Sequence, residues 1–142
     1  MNKVNKKLMN YLTKEEEHIK DTFSSLLKNH LNMDYNEDSY SKFRTHWRAI
    51  TTQMLFGAFA KKYPPGDYFD MRNYIEDELN KNDTQIVDLI NKYYSKAYSA
   101  GGLDTPRILN SHCFDGKLSE AAIDEFNRGF ALIHEFIIEN LT

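Results

Sequence analysis

A chain of 142 residues, 41% hydrophobic and 27% charged, is long enough for one domain with its own core and too short for several. Its formal net charge of −3 excludes the broad basic face that a grip on DNA needs. The one cysteine, Cys113, excludes an internal disulfide and a cysteine-built zinc site, and points to a reducing compartment.

The opening Lys3, Lys6 and Lys7 are not followed by a continuous apolar stretch, so they do not read as a signal peptide. No apolar run approaches the length of a membrane span. The expectation is a cytoplasmic protein.

Apolar residues at Val4, Leu8, Tyr11/Leu12, Ile19, Phe23, Leu26/Leu27 and Leu31 recur at the helical period. Within them Thr13-Lys14-Glu15-Glu16 has the pattern of a capping box, which predicts a short helix over 3–12 and a new one from Thr13 to about Asn32. A second helix is expected from Asp38 or Ser39. Its stripe is Tyr40, Phe43, Trp47, Ile50, Met54 and Ala58, widened by Leu55 and Phe59, and it must end at Tyr63-Pro64-Pro65-Gly66. A third is predicted over 67–80, with Tyr68, Met71, Ile75 and Leu79 inward. A fourth starts at the cap Asp83, buries Ile86, Leu89/Ile90, Tyr93/Tyr94 and Ala97, and stops at Gly101-Gly102. A short helix over 106–111 follows, then a turn at Asp115-Gly116. Leu118, the cap Ser119 and Ile123 open a last helix with the stripe Ile123, Phe126, Phe130, Ile133, Ile137 and Leu141. No strand alternation and no repeat are evident. The fold expected is all-α, one domain over residues 1–142, a bundle of five to seven helices or a globin-like packing.

Four places in the sequence could carry chemistry. Glu15-x-x-His18 has the spacing of a carboxylate di-iron bundle, but none of His30, His46, His112 or His134 follows an acid at that spacing. The plainer reading is a solvated helical face, with no metal and no cofactor. Cys113 directly follows His112, and adjacency in sequence does not by itself align a nucleophile with a base. No nucleophile elbow or phosphate-cradling glycine loop is present. The aromatic residues offer a third place. Phe43, Trp47, Ile50 and Met54 on one helix and Phe126 and Phe130 on another read most plainly as core. The sharper reading makes them the lining of an apolar ligand pocket, with His46 or Arg48 (and Arg44 nearby) holding a polar head group.

The fourth place is Arg107-Ile108-Leu109-Asn110-Ser111-His112, which resembles the loose Arg-x4-6-His pattern of the HEPN superfamily. That resemblance implies a small helical ribonuclease of a toxin–antitoxin or defence system. Arg107 would stabilise phosphate charge and His112 would move a proton. Ile108 departs from the polar residue usual after the arginine, and Arg128 to His134 gives a second match of the same kind.

The layout of the chain also resembles the non-haem globin-like sensor domains of spore-forming bacteria. The likeness lies in the opening helix through Leu8-Met9-Asn10-Tyr11-Leu12 to Ile19-Lys20-Asp21-Thr22-Phe23. It continues in the pair Met71 to Leu79 and Ile86 to Tyr98, and in Glu125-Phe126-Asn127-Arg128-Gly129-Phe130. It is a pattern of helices and not a motif. It implies a non-enzymatic domain that binds a fatty-acid-like molecule, forms a homodimer and modulates a signalling kinase by competing for its signal. The chain reaching Thr142 with its last helix fits the free-standing, sporulation-inhibitory kind. A third reading is a helical immunity or inhibitor protein acting through its surface.

Overall fold

A computed structural model describes the backbone of residues 3–81, 88, 105–128 and 130–141, and within these the side chains of all but 3–5, 105–108 and 112. Among the described residues the secondary structure is all helical. The helices are α1 (Lys3–Leu26), α2 (Glu37–Lys62), α3 (Pro65–Asn80), α4 (Thr105–Phe114), α5 (Glu120–Arg128) and α6 (Ala131–Leu141). They form an all-α bundle, as the periodicity predicts. The helix expected from Asp83 and its stop at Gly101-Gly102 lie outside the described residues. No helix among the described residues is long and apolar enough to cross a membrane.

The first helix differs from expectation. α1 runs through Thr13 without a break. Thr13 Oγ1 donates to the Met9 carbonyl, 3.0 Å away and one turn back, so it does not cap. The carboxylates that a capping box would turn onto the backbone face α2 instead. α1 closes in a π-helical turn, Leu27–Leu31, and Asn32 takes the left-handed conformation (φ 48°) that ends it. Ser25 and His30 both bond the Glu125 carboxylate, tying this end to α5.

Asn36, two residues ahead of the expected cap, starts α2: its Oδ1 accepts from the Ser39 N–H at 3.0 Å. Glu37 and Asp38 then face the positive end of the helix dipole, and Lys61 and Lys62 the negative end. Pro64-Pro65 ends α2, and Pro65 opens α3 from its first turn. α2 is the centre of the bundle, packed by α1, α3, α4 and α6. It is buried on nearly every side from Phe43 to Phe59, which a surface helix with one apolar face is not.

Ser119 caps α5 as expected, its Oγ accepting from Ala122 N at 3.2 Å, and the flanking Leu118 and Ile123 are both buried. The last helix is not continuous. It divides between Arg128 and Ala131, where Phe130 N–H bonds Asn127 O in a tighter turn. The sequence has Gly129 there, and glycine is a weak helix former. The division leaves the expected stripe intact, since Ile123, Phe126, Phe130, Ile133 and Leu141 are all buried. The Asp115-Gly116 turn is present, both residues at positive φ.

Candidate functional site

Two features stand out where α1 crosses α2: an open cleft and, beneath its floor, a buried ion pair. The pair is Glu15 on α1 and Arg48 on α2, only 1% and 3% exposed. Arg48 reaches the Glu15 carboxylate (Nη1 to Oε1, 3.0 Å), the Leu12 carbonyl (Nη2, 2.7 Å) and Glu16 Oε2 (Nη2, 2.5 Å). Thr51 donates to the same Glu15 oxygen at 3.1 Å, and Arg44 bonds the other oxygen of Glu16. One acid of this cluster is therefore sealed in the core. The next one along the helix turns outward.

The two carboxyls titrate in opposite directions. Burial pushes Glu15 up to about 7 against the pull of Arg48, whereas Arg44 and Arg48 together hold Glu16 below the usual carboxylate range despite its partial burial. The geometry leaves one Glu15 oxygen open to carry a proton. Oε1 accepts from Arg48 and Thr51, and Oε2 has no partner among the described residues. Around Glu15, Tyr11, His18, Trp47, Thr51, Leu132 and Ile133 of α1, α2 and α6 close together and leave no space that would hold a water. Tyr11 Oη and Trp47 Nε1 are likewise buried without partners among the described residues.

Above the pair, α1, the start of α2 and the end of α3 enclose an open cleft of about 740 Å³. Met9, Leu12, Tyr40 and Leu79 supply its apolar surface. Its charged lining is four acids, Glu16, Glu37, Asp38 and Glu78, against Arg44 and Arg48. Both arginines are taken up by Glu15 and Glu16, and Lys81 bonds Glu78 at 2.7 Å. No ion pair to Glu37 or Asp38 occurs among the described residues. The cleft is thus amphipathic with a negative surplus.

Of the expected ligand lining, Arg48 lies on this cleft and the other residues do not. Phe43, Trp47, Phe126 and Phe130 touch one another: Trp47 stacks on Phe130 with ring centroids 4.4 Å apart, and Phe43 and Trp47 meet Phe126 edge-on at 5.5 and 5.4 Å. Ile50 is buried with them, and Met54 packs half-buried against the same cluster. These side chains fill the space between α2 and the last two helices with their own atoms. His46 is buried and Arg48 holds Glu15, so neither presents an open cationic surface to a ligand head group. The reading of Glu15-x-x-His18 as a solvated face is corrected for Glu15, which is core.

Arg107 and His112 both lie on α4, but their side chains lie outside the described residues. Five residues along a helix place the two positions about 140° apart around its axis. The second match divides between helices, with Arg128 closing α5 and His134 on α6, both exposed. Burial pushes the Cys113 thiol up to about 12, which disfavours the thiolate that a nucleophile needs. Iodoacetamide at pH 8 should therefore alkylate the folded protein about a hundredfold more slowly than the urea-unfolded chain. Equal rates, followed by mass spectrometry, would contradict that placement.

No family model matches the chain, and no curated protein or solved structure matches it. The resemblance to globin-like sensor domains rests on the pattern of helices quoted above.

Proposed function

We propose that this protein is a non-enzymatic binding and regulatory domain whose ligand is a small amphipathic molecule bearing an amine. One observation carries the reading: the cleft between α1, α2 and α3 joins an apolar wall to carboxylates in surplus over free cations. Its volume suits a small ligand. An alkyl chain would lie on Met9, Leu12 and Leu79, and an ammonium would face Glu37, Asp38 and the outer carboxylate Glu16. A fatty-acid carboxylate fits this lining poorly, since it would have to displace a carboxylate already bonded to Arg44 or Arg48.

Isothermal calorimetry with decylammonium chloride, against decanoate, tests the reading. Decylammonium should bind with one site per chain, and Asp38→Asn with Glu37→Gln should weaken it about tenfold. Tighter binding of decanoate, or no binding of either, would sink it.

A further inference from the structure

The cleft and the buried carboxyl share one side chain. Arg48 lines the cleft, bonds Glu16 on its outer side at 2.5 Å and Glu15 on its inner side at 3.0 Å. No other described contact links an exposed wall of the cleft to a titratable group in the core so directly. Building on the cleft as the amine site, we propose that ligand binding there is linked to a proton on Glu15: the ligand binds the ionised form more tightly, and its arrival expels the proton to solvent.

The argument is one of charge placement. An ammonium in the cleft attracts Glu16 and loosens its hold on Arg48. The guanidinium then turns more of its charge to the Glu15 carboxylate, which favours the ionised form. The ligand's own positive charge acts in the same direction through a poorly screened interior. The bond that breaks is the O–H on Glu15 Oε2, the oxygen left without a partner among the described residues. Ionisation at neutral pH is within reach because burial and Arg48 oppose each other at this carboxyl.

The groups facing Glu15 identify what else could respond. From α1 these are Tyr11, Glu16 and His18. From α2 they are Arg48 and Thr51, with Arg44 one bond further out, and from α6 they are the apolar Leu132 and Ile133. His18 borders the same space as Glu15, so a variant at that position serves as the control. Linkage is reciprocal, so an affinity that rises with pH requires proton release on binding.

The experiment measures decylammonium affinity by calorimetry from pH 5.5 to 8 on the wild-type protein, on Glu15→Gln and on His18→Gln. At pH 7.5, where both buffer, the titration is repeated in phosphate and in Tris, whose ionisation heats differ. The expected result is an affinity about tenfold higher at pH 8 than at pH 5.5 in the wild type and in His18→Gln, with a proton released. Glu15→Gln, a fixed neutral mimic, should bind with the low-pH affinity at every pH. Binding that is flat with pH in the wild type, with no buffer-dependent heat, overturns the linkage and leaves the site standing. A pH dependence that survives in Glu15→Gln overturns it too. Absence of binding at every pH removes both the site and its linkage. The buffer comparison on the wild type needs no variant, so a misfolded Glu15→Gln protein would not rescue the proposal.

Discussion

Replacing Arg48 with methionine costs about 3–5 kcal/mol of folding stability at pH 8. Urea denaturation followed through Trp47, the one tryptophan in the chain, measures this directly. Methionine restores much of the volume, so the loss reports charge and hydrogen bonding more than a cavity. Three acceptors lose Arg48 at once: Glu15 Oε1, which keeps only Thr51, Glu16 Oε2 and the Leu12 carbonyl. Of these Glu15 is the most costly, because at 1% exposure it has no recourse to water. The cost should shrink at pH 5, where Glu15 carries its own proton and needs no cation. A loss that is the same at both pH values would show that the pair is not the source.

The sign of the underlying linkage follows from the direction of the shift. Glu15 has its folded pKa raised to about 7 from an ordinary 4.5, so the folded state holds a proton that the unfolded chain has released. Its contribution to stability is present below the ordinary value and is lost as pH rises through the raised one. Glu16 and Glu125 act oppositely. Arg44 and Arg48 hold Glu16 low, and His30 and Ser25 hold Glu125 low, so their stability is present above the ordinary value and lost in acid. The stability optimum of the protein should therefore lie on the acid side of neutrality.

Trp47→Ala is the other large effect, a loss of about 3–5 kcal/mol. The indole is almost fully buried, stacked on Phe130 and edge-on to Phe126, with Phe43 completing the group at 5.7 Å. Its removal opens a cavity between α2 and the last two helices that rigid rings cannot collapse to fill. Trp47→Phe should cost much less, since it keeps a stacked ring and removes an indole N–H that has no partner among the described residues. Circular dichroism during urea denaturation reads both variants without relying on tryptophan emission. A cost below about 1 kcal/mol for Trp47→Ala would mean that the ring is loosely held, as in a ligand pocket.

The helical skeleton was legible because apolar period and proline punctuation both act locally. Phe43, Trp47, Ile50, Phe126 and Ile133 are buried where their spacing placed them, and Pro64-Pro65 divides α2 from α3. Caps were less legible. Thr13-Lys14-Glu15-Glu16 has the residues of a capping box, but a helix interior satisfies its own N–H groups, and the two carboxylates gain more from Arg48 and Arg44. The division at Phe130 was not foreseen because the apolar stripe continues across it. The ion pair does leave a signal in the sequence. Glu15 falls between Leu8, Leu12 and Ile19 at the positions an apolar stripe would occupy, and Arg48 sits one turn from the buried Thr51 and Thr52 and two turns from Leu55. A charge at a core position on each of two helices requires that they meet. The cleft was not legible, since Leu12, Tyr40 and Leu79 come together only through tertiary packing.

The claim that the ligand lies in the cleft and not within the aromatic core is tested most directly by a nitrogen-15 amide NMR titration with decylammonium chloride, with the indole N–H of Trp47 as an internal reporter. The account predicts saturable shifts at Leu12, Glu16, Tyr40, Arg44 and Leu79, with Phe126, Phe130 and the Trp47 indole unmoved. Shifts centred on Trp47, Phe126 and Phe130 would contradict it and return the ligand to the space between α2 and the last two helices.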